Sequence, residues 1–381
     1  MLEDTYAHTP IKKMFDMADV YGISYDEERA SRTKVRLGII GAGGVAQSKH
    51  LPAINRLITI WEQVEVPAIS IRREEQGKKV AEIYNCRWYS DYQKMISEEK
   101  LDGVLVLTPD EYHAQHSIAC LDAGLHVLVE KPITRSLADS MKLCRYADDR
   151  GLILMTVSNK RYSPPYRRAK HFIDEGTVKN PALFVGKFNL GYKYVDLFEA
   201  GTIHIFDITR YLMGDVKQVS AIGVNKYKHS KYPVDNVISS FEYASGSVGS
   251  IYTSSSALSL KPWERVEVYG DGSWLAVEDQ NELILYDSET GPAKSWKPVI
   301  PNTMVFDEEF AGFMGLIENF LQAIRGLEKP LVTGWDGHHA YELAVASHLS
   351  LSRKEPVRLP LDPEIADAEC VRWLDPAIDK I

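Results

Sequence analysis

Hydrophobic and polar positions along the 381-residue chain change rhythm twice. Residues 1–33 are polar and aromatic, with one short helical pattern in "IKKMFDMADVYG", and read as an N-terminal arm. From Lys34 onward, apolar runs alternate with amphipathic segments. "KVRLGII", "VEVPAISI", "LDGVLVLTP", "HVLVEKP" and "LILMTVS" are strand-like, and several are nearly all apolar, as strands buried on both faces are. Between them, "GAGGVAQSKHLPAI", "EEQGKKVAEIYN", "EYHAQHSIACLDAG" and "SLADSMKLCRYADDRG" read as helices. This alternation predicts a doubly wound parallel sheet over residues 34–158.

After Ser158 the pattern becomes that of an α+β domain spanning 159–381. A helix in "PPYRRAKHFIDEG" precedes a strand in "ALFVGKFNLG" and a helix around "IHIFDITRYLMG". Then come "VKQVSAIGVNKY", "DNVISSFEYASGSVGSIYTSSS", "ERVEVYGDGSWLAVED" and "ELILYDS", where "YASGS" and "YGDGS" supply hairpin turns. These predict a mostly antiparallel sheet, closed by helices in "EEFAGFMGLIENFLQAIRG" and "GWDGHHAYELAVASHLSLSRK". No predicted helix plainly covers one face of that sheet, so the second domain is expected to bind substrate and also to form a homodimer or homotetramer.

Composition narrows the function classes. A hydrophobic content of 45% supports a sizeable core, and a net charge of -9 argues against a general nucleic-acid or anionic-membrane partner. The four cysteines are scattered, with no CxxC and no metal spacing, which fits a reduced, cytoplasmic protein. The N-terminus lacks an apolar signal core, and no stretch has the apolar length of a membrane helix.

The chemistry begins at "LGIIGAGGVAQ". Gly41, Gly43 and Ala46 stand in G-x-G-x-x-A spacing after a strand and at the opening of a helix. The first glycine permits a tight turn, the second lets backbone approach a pyrophosphate, and Ala46 allows close helix packing. Gly44 and Val45 complete the turn, whose helix offers free N–H groups to an anion. This is the signature of a Rossmann dinucleotide-binding domain. The second strand ends without the Asp or Glu that would bind a ribose 2′-hydroxyl; Arg72 and Arg73 follow instead. Two guanidiniums there suit a 2′-phosphate, which leans the cofactor reading towards NADP; the alternative is a solvated, arginine-bearing helix start with NAD bound.

A second signal is "LVEKPITRS", where Glu130-Lys131 ends an apolar run and Pro132 locks the backbone. A lysine entering the core needs a partner or a task. The rival to a catalytic task is pairing with Glu130 at the sheet end.

Together, "GIIGAGGVAQSKHLPAI", "LTPDEYHAQHSIACLDAGLHVLVEKP" and "GTIHIFDITRYLMGDV" resemble the glucose–fructose oxidoreductase/inositol dehydrogenase (Gfo/Idh/MocA) family, from about Lys34 to "PLVTGWDGHHAYELAVASHLS". The resemblance implies a Rossmann domain plus an α+β domain with a large open sheet. It implies NAD(P)-dependent oxidation of a hydroxyl, or reduction of a ketone, in a sugar, glycoside or cyclic polyol. Lys131 matches the lysine of the family's E-K-P motif, with Glu130 beside it and a cis bond before Pro132. His204 matches its catalytic histidine, with Asp207 as orienter or substrate ligand. Thr108, Pro109 and His113 are placed at the cofactor. One departure stands out: Ala200 occupies the position four before His204 where polyol dehydrogenases carry Asp, and Glu199 precedes it. This favours a Lys131–His204 pair helped by Glu199.

Further candidates rest on position. Asn159, Lys160 and Arg161 follow a strand end, and Arg161 is assigned to the cofactor. Tyr162, Asn189 and Tyr192 are assigned to substrate, with Tyr194 and Trp263 as weaker aromatics. His113 and His116, three apart, lack a third ligand, so no metal is assigned; His338 and His339 read as structural. Two rival functions remain: a glycosidase or lyase that recycles tightly bound NAD, and a sensor that binds dinucleotide and sugar without turnover.

Overall fold

The structure, a computed structural model, describes residues 34–58, 64–189, 196–226, 232–255, 263–288, 291–297 and 311–374, with side chains to 370. The expected arm over 1–33 lies outside the described residues. Six parallel strands form the first sheet: β1 (Val35–Ile40), β2 (Val64–Ser70), β3 (Arg87–Tyr89), β4 (Gly103–Val106), β5 (His126–Val129) and β6 (Leu154–Thr156). Their order is β3-β2-β1-β4-β5-β6. The winding reverses between β1 and β4, so the loops leaving those strands part and open a crevice. The apolar runs of the sequence are these central strands; Val104, Leu105, Val127, Leu128 and Val129 have no exposed surface. β3 is only three residues long and half exposed, so it carries no such run.

Among the described residues, five α-helices connect its strands. A π-helical turn, Ala46–His50, leads into α1 (Leu51–Arg56). It is followed by α2 (Glu74–Ile83), α3 (Tyr92–Glu98), α4 (His113–Asp122) and α5 (Leu137–Asp149).

Beyond β6 come α6 (Pro164–Asp174), β7 (Leu183–Asn189), a π-helical turn at Phe198–Thr202, and α7 (Ile203–Met213). The strands that follow are β8 (Val216–Val224), β9 (Asn236–Tyr243), β10 (Val248–Ser254), β11 (Glu264–Gly270), β12 (Ser273–Glu278), β13 (Glu282–Tyr286) and β14 (Lys294–Trp296). The chain closes with α8 (Phe313–Ile324), α9 (Gly334–Arg353), β15 (Val357–Arg358) and α10 (Pro363–Leu374). The second sheet runs β14-β13-β12-β11-β7-β10-β9-β8-β15. Its pairs are antiparallel except β7 with β10, which the long connection after β7 makes parallel. One face buries Phe184, Val219, Phe241 and Ile251 against Ile205, Phe206, Val345 and Leu349 of α7 and α9. The other face leaves Ile222 78%, Ile238 55% and Tyr252 44% exposed.

Two C-terminal elements return to the first sheet. Leu316, Ile317 and Phe320 of α8 pack in one cluster with Ile54 and Leu105. Asp367 of α10 accepts the backbone N–H groups of Leu137 (2.7 Å) and Ala138 (2.9 Å), capping α5. α8, which lies beyond the expected boundary at 158/159, thus completes the core of the N-terminal half. Among the described residues no helix is long and apolar enough to cross a membrane.

Candidate active site

The glycine turn after β1 lies at the switch point. Gly41 has φ +92°, a region that L side chains avoid, and a Cβ there would lie 2.7 Å from the carbonyl oxygen of Leu107. Gly43 and Gly44 differ: a Cβ on either would meet nothing within 4 Å, so their bareness leaves room for a ligand. Ala46 is buried at 2%, while Val45 is exposed. The Ala42 carbonyl is held by Gln47 Nε2 (2.7 Å) and Gln76 Nε2 (2.8 Å), which fixes the turn. Arg72 and Arg73 stand exposed at the end of β2, with Ile71 turned into the core.

Gly41, Gly43, Gly44, Val45, Ala46, Arg72, Arg73, Thr108, Pro109, His113, Glu130 and Lys131 all border one cavity of about 970 Å³. This donor set fits a dinucleotide: bare glycines at a helix start for the pyrophosphate, guanidiniums at one end, and the β4 and β5 loops at the other.

The cavity's inner end is built around Lys131, whose bond to Pro132 is cis. Its Nζ donates to the Ala200 carbonyl at 2.7 Å. Burial pushes its pKa down from the ordinary lysine value, while Glu130 and Asp110 pull the other way. Glu130 does not take the lysine ammonium: its Oε1 accepts from His50 Nε2 (2.8 Å) and its Oε2 from the Lys131 backbone N–H (2.9 Å). Burial raises its pKa, but the His50 hydrogen bond and charge outweigh that and hold it below the usual carboxylate range. His204 and Lys131 share a slot of about 10 Å³ with Thr156, Ser158 and Gly337, room for one water at most. Burial, with Lys131 and Lys160 as cationic neighbours, drives the His204 pKa well below its ordinary value, so the ring is neutral. Lys160, 3% exposed, is bound to the buried Glu264, and Tyr166 Oη donates to the other oxygen of that carboxylate at 2.9 Å.

Acidic side chains also line this cavity. Asp196, Glu199, Asp110, Arg135 and Tyr232 border the same cavity. Asp196 Oδ1 accepts the backbone N–H groups of Phe198 and Glu199 (both 2.9 Å) and lies 3.3 Å from His348 Nε2. Asp196, Glu199 and His348 each place a ligand-type atom within 4.8 Å of the others. Nothing further points to an ion there, and no metal site is assigned. Burial and then the Asp196 charge raise the Glu199 pKa to about 7. Sequence reasoning passed over Asp196, Asp110, Arg135 and His50. The only available signal was spacing, Asp196 three before Glu199 and His50 at the end of the glycine-turn segment.

Several expected ligands belong elsewhere. Arg161, 5% exposed, gives Nε (2.9 Å) and Nη2 (2.7 Å) to Asp207 and Nη2 also to Asp336 (3.0 Å). Arg161 is committed to these two carboxylates and does not border the cavity, and Asp207, 2% exposed, is bound to Arg161 rather than to His204. Tyr162 is 4% exposed and donates to Asn319 Oδ1 at 2.8 Å, packing with α8 instead of facing substrate. Asn189 ends β7 half-buried, its N–H on the Trp263 carbonyl at 2.8 Å, away from the cavity. Tyr192 and Tyr194 lie outside the described residues. Glu199 faces Asp196 and Tyr341 Oη (3.4 Å) rather than His204. His113 borders the cavity at 1% exposure, but its nitrogens are spent on the carbonyls of Pro132 and Thr108. His116 stacks on Tyr112 and edges Tyr92; burial and then His113 lower its pKa to about 4.

Comparison with known proteins bears on this geometry. Residues 35–158 match the family model of the oxidoreductase family, NAD-binding Rossmann fold, and residues 198–359 that of its C-terminal alpha/beta domain. A myo-inositol 2-dehydrogenase of Thermotoga maritima is 27% identical over 343 residues, 85% of this chain and 98% of the relative. A scyllo-inositol 2-dehydrogenase (NAD(+)) of Bacillus subtilis is 25% identical over 352 residues, covering 86% and 96%. A levoglucosan dehydrogenase solved with NADH and levoglucosan superposes with a TM-score of 0.77 at 20% identity, covering 86% of this chain and all of that one.

Proposed function

Because the chain belongs to the Gfo/Idh/MocA oxidoreductase family, we propose that it oxidises a hydroxyl of a neutral sugar or cyclic polyol, or reduces the matching ketone, with Lys131 handling the hydroxyl proton. The observation that carries this is the position of Lys131. It borders the cavity that also holds the glycine turn, and its Nζ meets the carbonyl of Ala200, which borders the same cavity. When bound, a nicotinamide supplies the acceptor or donor of hydride. Gly41, Gly43 and Gly44 hold the pyrophosphate, and Arg72 and Arg73 meet the adenosine ribose. They favour a 2′-phosphate, so NADP is the preferred cofactor of this reading.

Lys131 has a lowered pKa because it is buried, which makes its neutral amine accessible as an acceptor for an alcohol proton. His204 stays neutral beside it, in the adjoining slot, and offers a ring nitrogen to a water there. The acidic side chains of the cavity support this substrate class. Asp110, Asp196 and Glu199 outnumber Arg135 there. Carboxylates accept hydrogen bonds from hydroxyls and repel phosphate or carboxylate groups. The relatives named for inositols and levoglucosan point the same way. The protein is further proposed to be a homo-oligomer through the open face of the second sheet. Its four cysteines are free thiols, as suits a reducing compartment.

The test is reduced-cofactor absorbance with NAD or NADP against neutral cyclitols, aldoses and anhydrosugars, each beside a phosphorylated or carboxylated counterpart. Turnover of neutral members is expected. No reduction with any of them, or a preference for the anionic forms, overturns the reading. Cleavage of a glycoside without accumulation of reduced cofactor would replace it with internally recycled NAD.

A further inference from the structure

His113 is enclosed at the cavity wall, with 1% of its surface exposed. Its Nδ1 lies 2.7 Å from the carbonyl oxygen of Pro132, and its Nε2 lies 2.9 Å from that of Thr108. A carbonyl oxygen has no proton to give, so each contact needs an N–H from the ring. Neutral imidazole has one N–H and one lone pair; only imidazolium has two. A neutral ring would set a lone pair against a carbonyl oxygen at one end, where water does not replace the lost bond.

We propose that His113 is a doubly protonated strut that positions Lys131. β4 and β5 pair in parallel up to Val106 and Val129, and the Glu130 N–H donates to the Val106 carbonyl at 3.0 Å. Two residues on, at Thr108 and Pro132, the strands have ended. The His113 ring spans those two carbonyls and so extends the tie by one rung. Lys131 lies inside the segment it closes, and Thr108 borders the cavity from the other side. Glu130 supplies the countercharge; its carboxylate is adjacent and is itself held by His50. The other titratable neighbours are Lys131 and, on α4 itself, His116, which is neutral. Asp110 and Glu111 lie just before α4, where Arg135 partners them at 3.8 and 3.9 Å.

The positioning role rests on Lys131 acting in this cavity; the protonation state does not. Neutron diffraction from the wild-type protein at about pH 7.5 reads the ring directly. Deuterons on both Nδ1 and Nε2 are expected, and a deuteron on only one overturns the strut. Kinetics of His113→Gln test the role. We expect kcat to fall by about 10- to 100-fold from misplacement of Lys131, with the dissociation constant for cofactor changed by less than about threefold. A cofactor affinity that collapses while kcat holds makes His113 a cofactor ligand and overturns the positioning role. Lys131→Ala in the same assay separates the two readings: if that variant stays active, the function proposed for Lys131 fails, whatever the ring protonation shows.

Discussion

Lys131 Nζ donates a 2.7 Å hydrogen bond to the carbonyl oxygen of Ala200. The lysine follows β5 of the N-terminal half, while the carbonyl sits in the π-helical turn that leads into α7 of the C-terminal half. π-helical turns recur at functional sites, where the widened turn redirects backbone groups. The amine proposed to move the substrate proton is therefore held by both halves of the fold, next to a neutral acceptor rather than a carboxylate.

Lys131→Ala should lower turnover by about 10²–10⁴ while the protein stays folded and binds cofactor. The wild-type pH profile should agree. Burial lowers the lysine pKa, so the neutral, proton-accepting amine becomes populated below the pH at which an exposed lysine would lose its proton. Alcohol oxidation should rise with pH through that range and lose the limb in Lys131→Ala. A near-normal kcat in the variant, or a limb that survives in it, contradicts the mechanism.

Replacing Arg72 and Arg73 by Ala should raise the KM for NADP more than that for NAD, since only NADP presents a 2′-phosphate. Both side chains are exposed at the cavity rim, so the fold should tolerate the change. Equal effects on the two cofactors would remove the basis for preferring NADP.

Glu199→Gln should stabilise the protein at pH 8 and do little at pH 4.5. The folded-state pKa of about 7 lies above that of an unfolded glutamate. Between those values the native state keeps a proton that the unfolded chain has lost, so stability falls as pH rises; above the folded value the penalty is constant. Thermal melts at both pH values measure it. A variant less stable than wild type at pH 8 refutes the crowding of Glu199 against Asp196.

Asp207→Asn should cost about 1.5–3 kcal/mol in urea unfolding, because it weakens two charge-assisted hydrogen bonds to the buried Arg161 guanidinium, which keeps Asp336 as its countercharge. Cofactor affinity should be retained. A loss below about 1 kcal/mol accompanied by weakened substrate binding would return Asp207 to the site.

Ile222, Ile238 and Tyr252 are cross-strand neighbours on β8, β9 and β10, and their side chains face outward. Ile238→Glu should dissociate the proposed homo-oligomer in sedimentation velocity. A wild-type monomer at micromolar concentration sinks the assembly.

The order of apolar runs, their length and the glycine turn were enough to read five of the six strands of the first sheet and the mostly antiparallel character of the second, because burial on two faces and alternation on one leave local, countable patterns. Gly41, Gly43, Ala46 and Lys131 were legible for the same reason: each sits at a strand end in a short motif. Arg161, Asp207 and Tyr162 looked like ligands from their place in the chain, yet Asp207 pairs back with Arg161 across 46 residues, and Asp336 and Asn319, partners of Arg161 and Tyr162, lie more than a hundred residues further on. Charge pairing of that kind has no local signature. The acidic wall of Asp110, Asp196 and Glu199, and the span of His113 from Thr108 to Pro132, were likewise decided only in three dimensions. Hydrophobic period reports which way a side chain faces; which buried polar group meets which is set by the packing of elements far apart in the chain, and at this site that packing sets the chemistry.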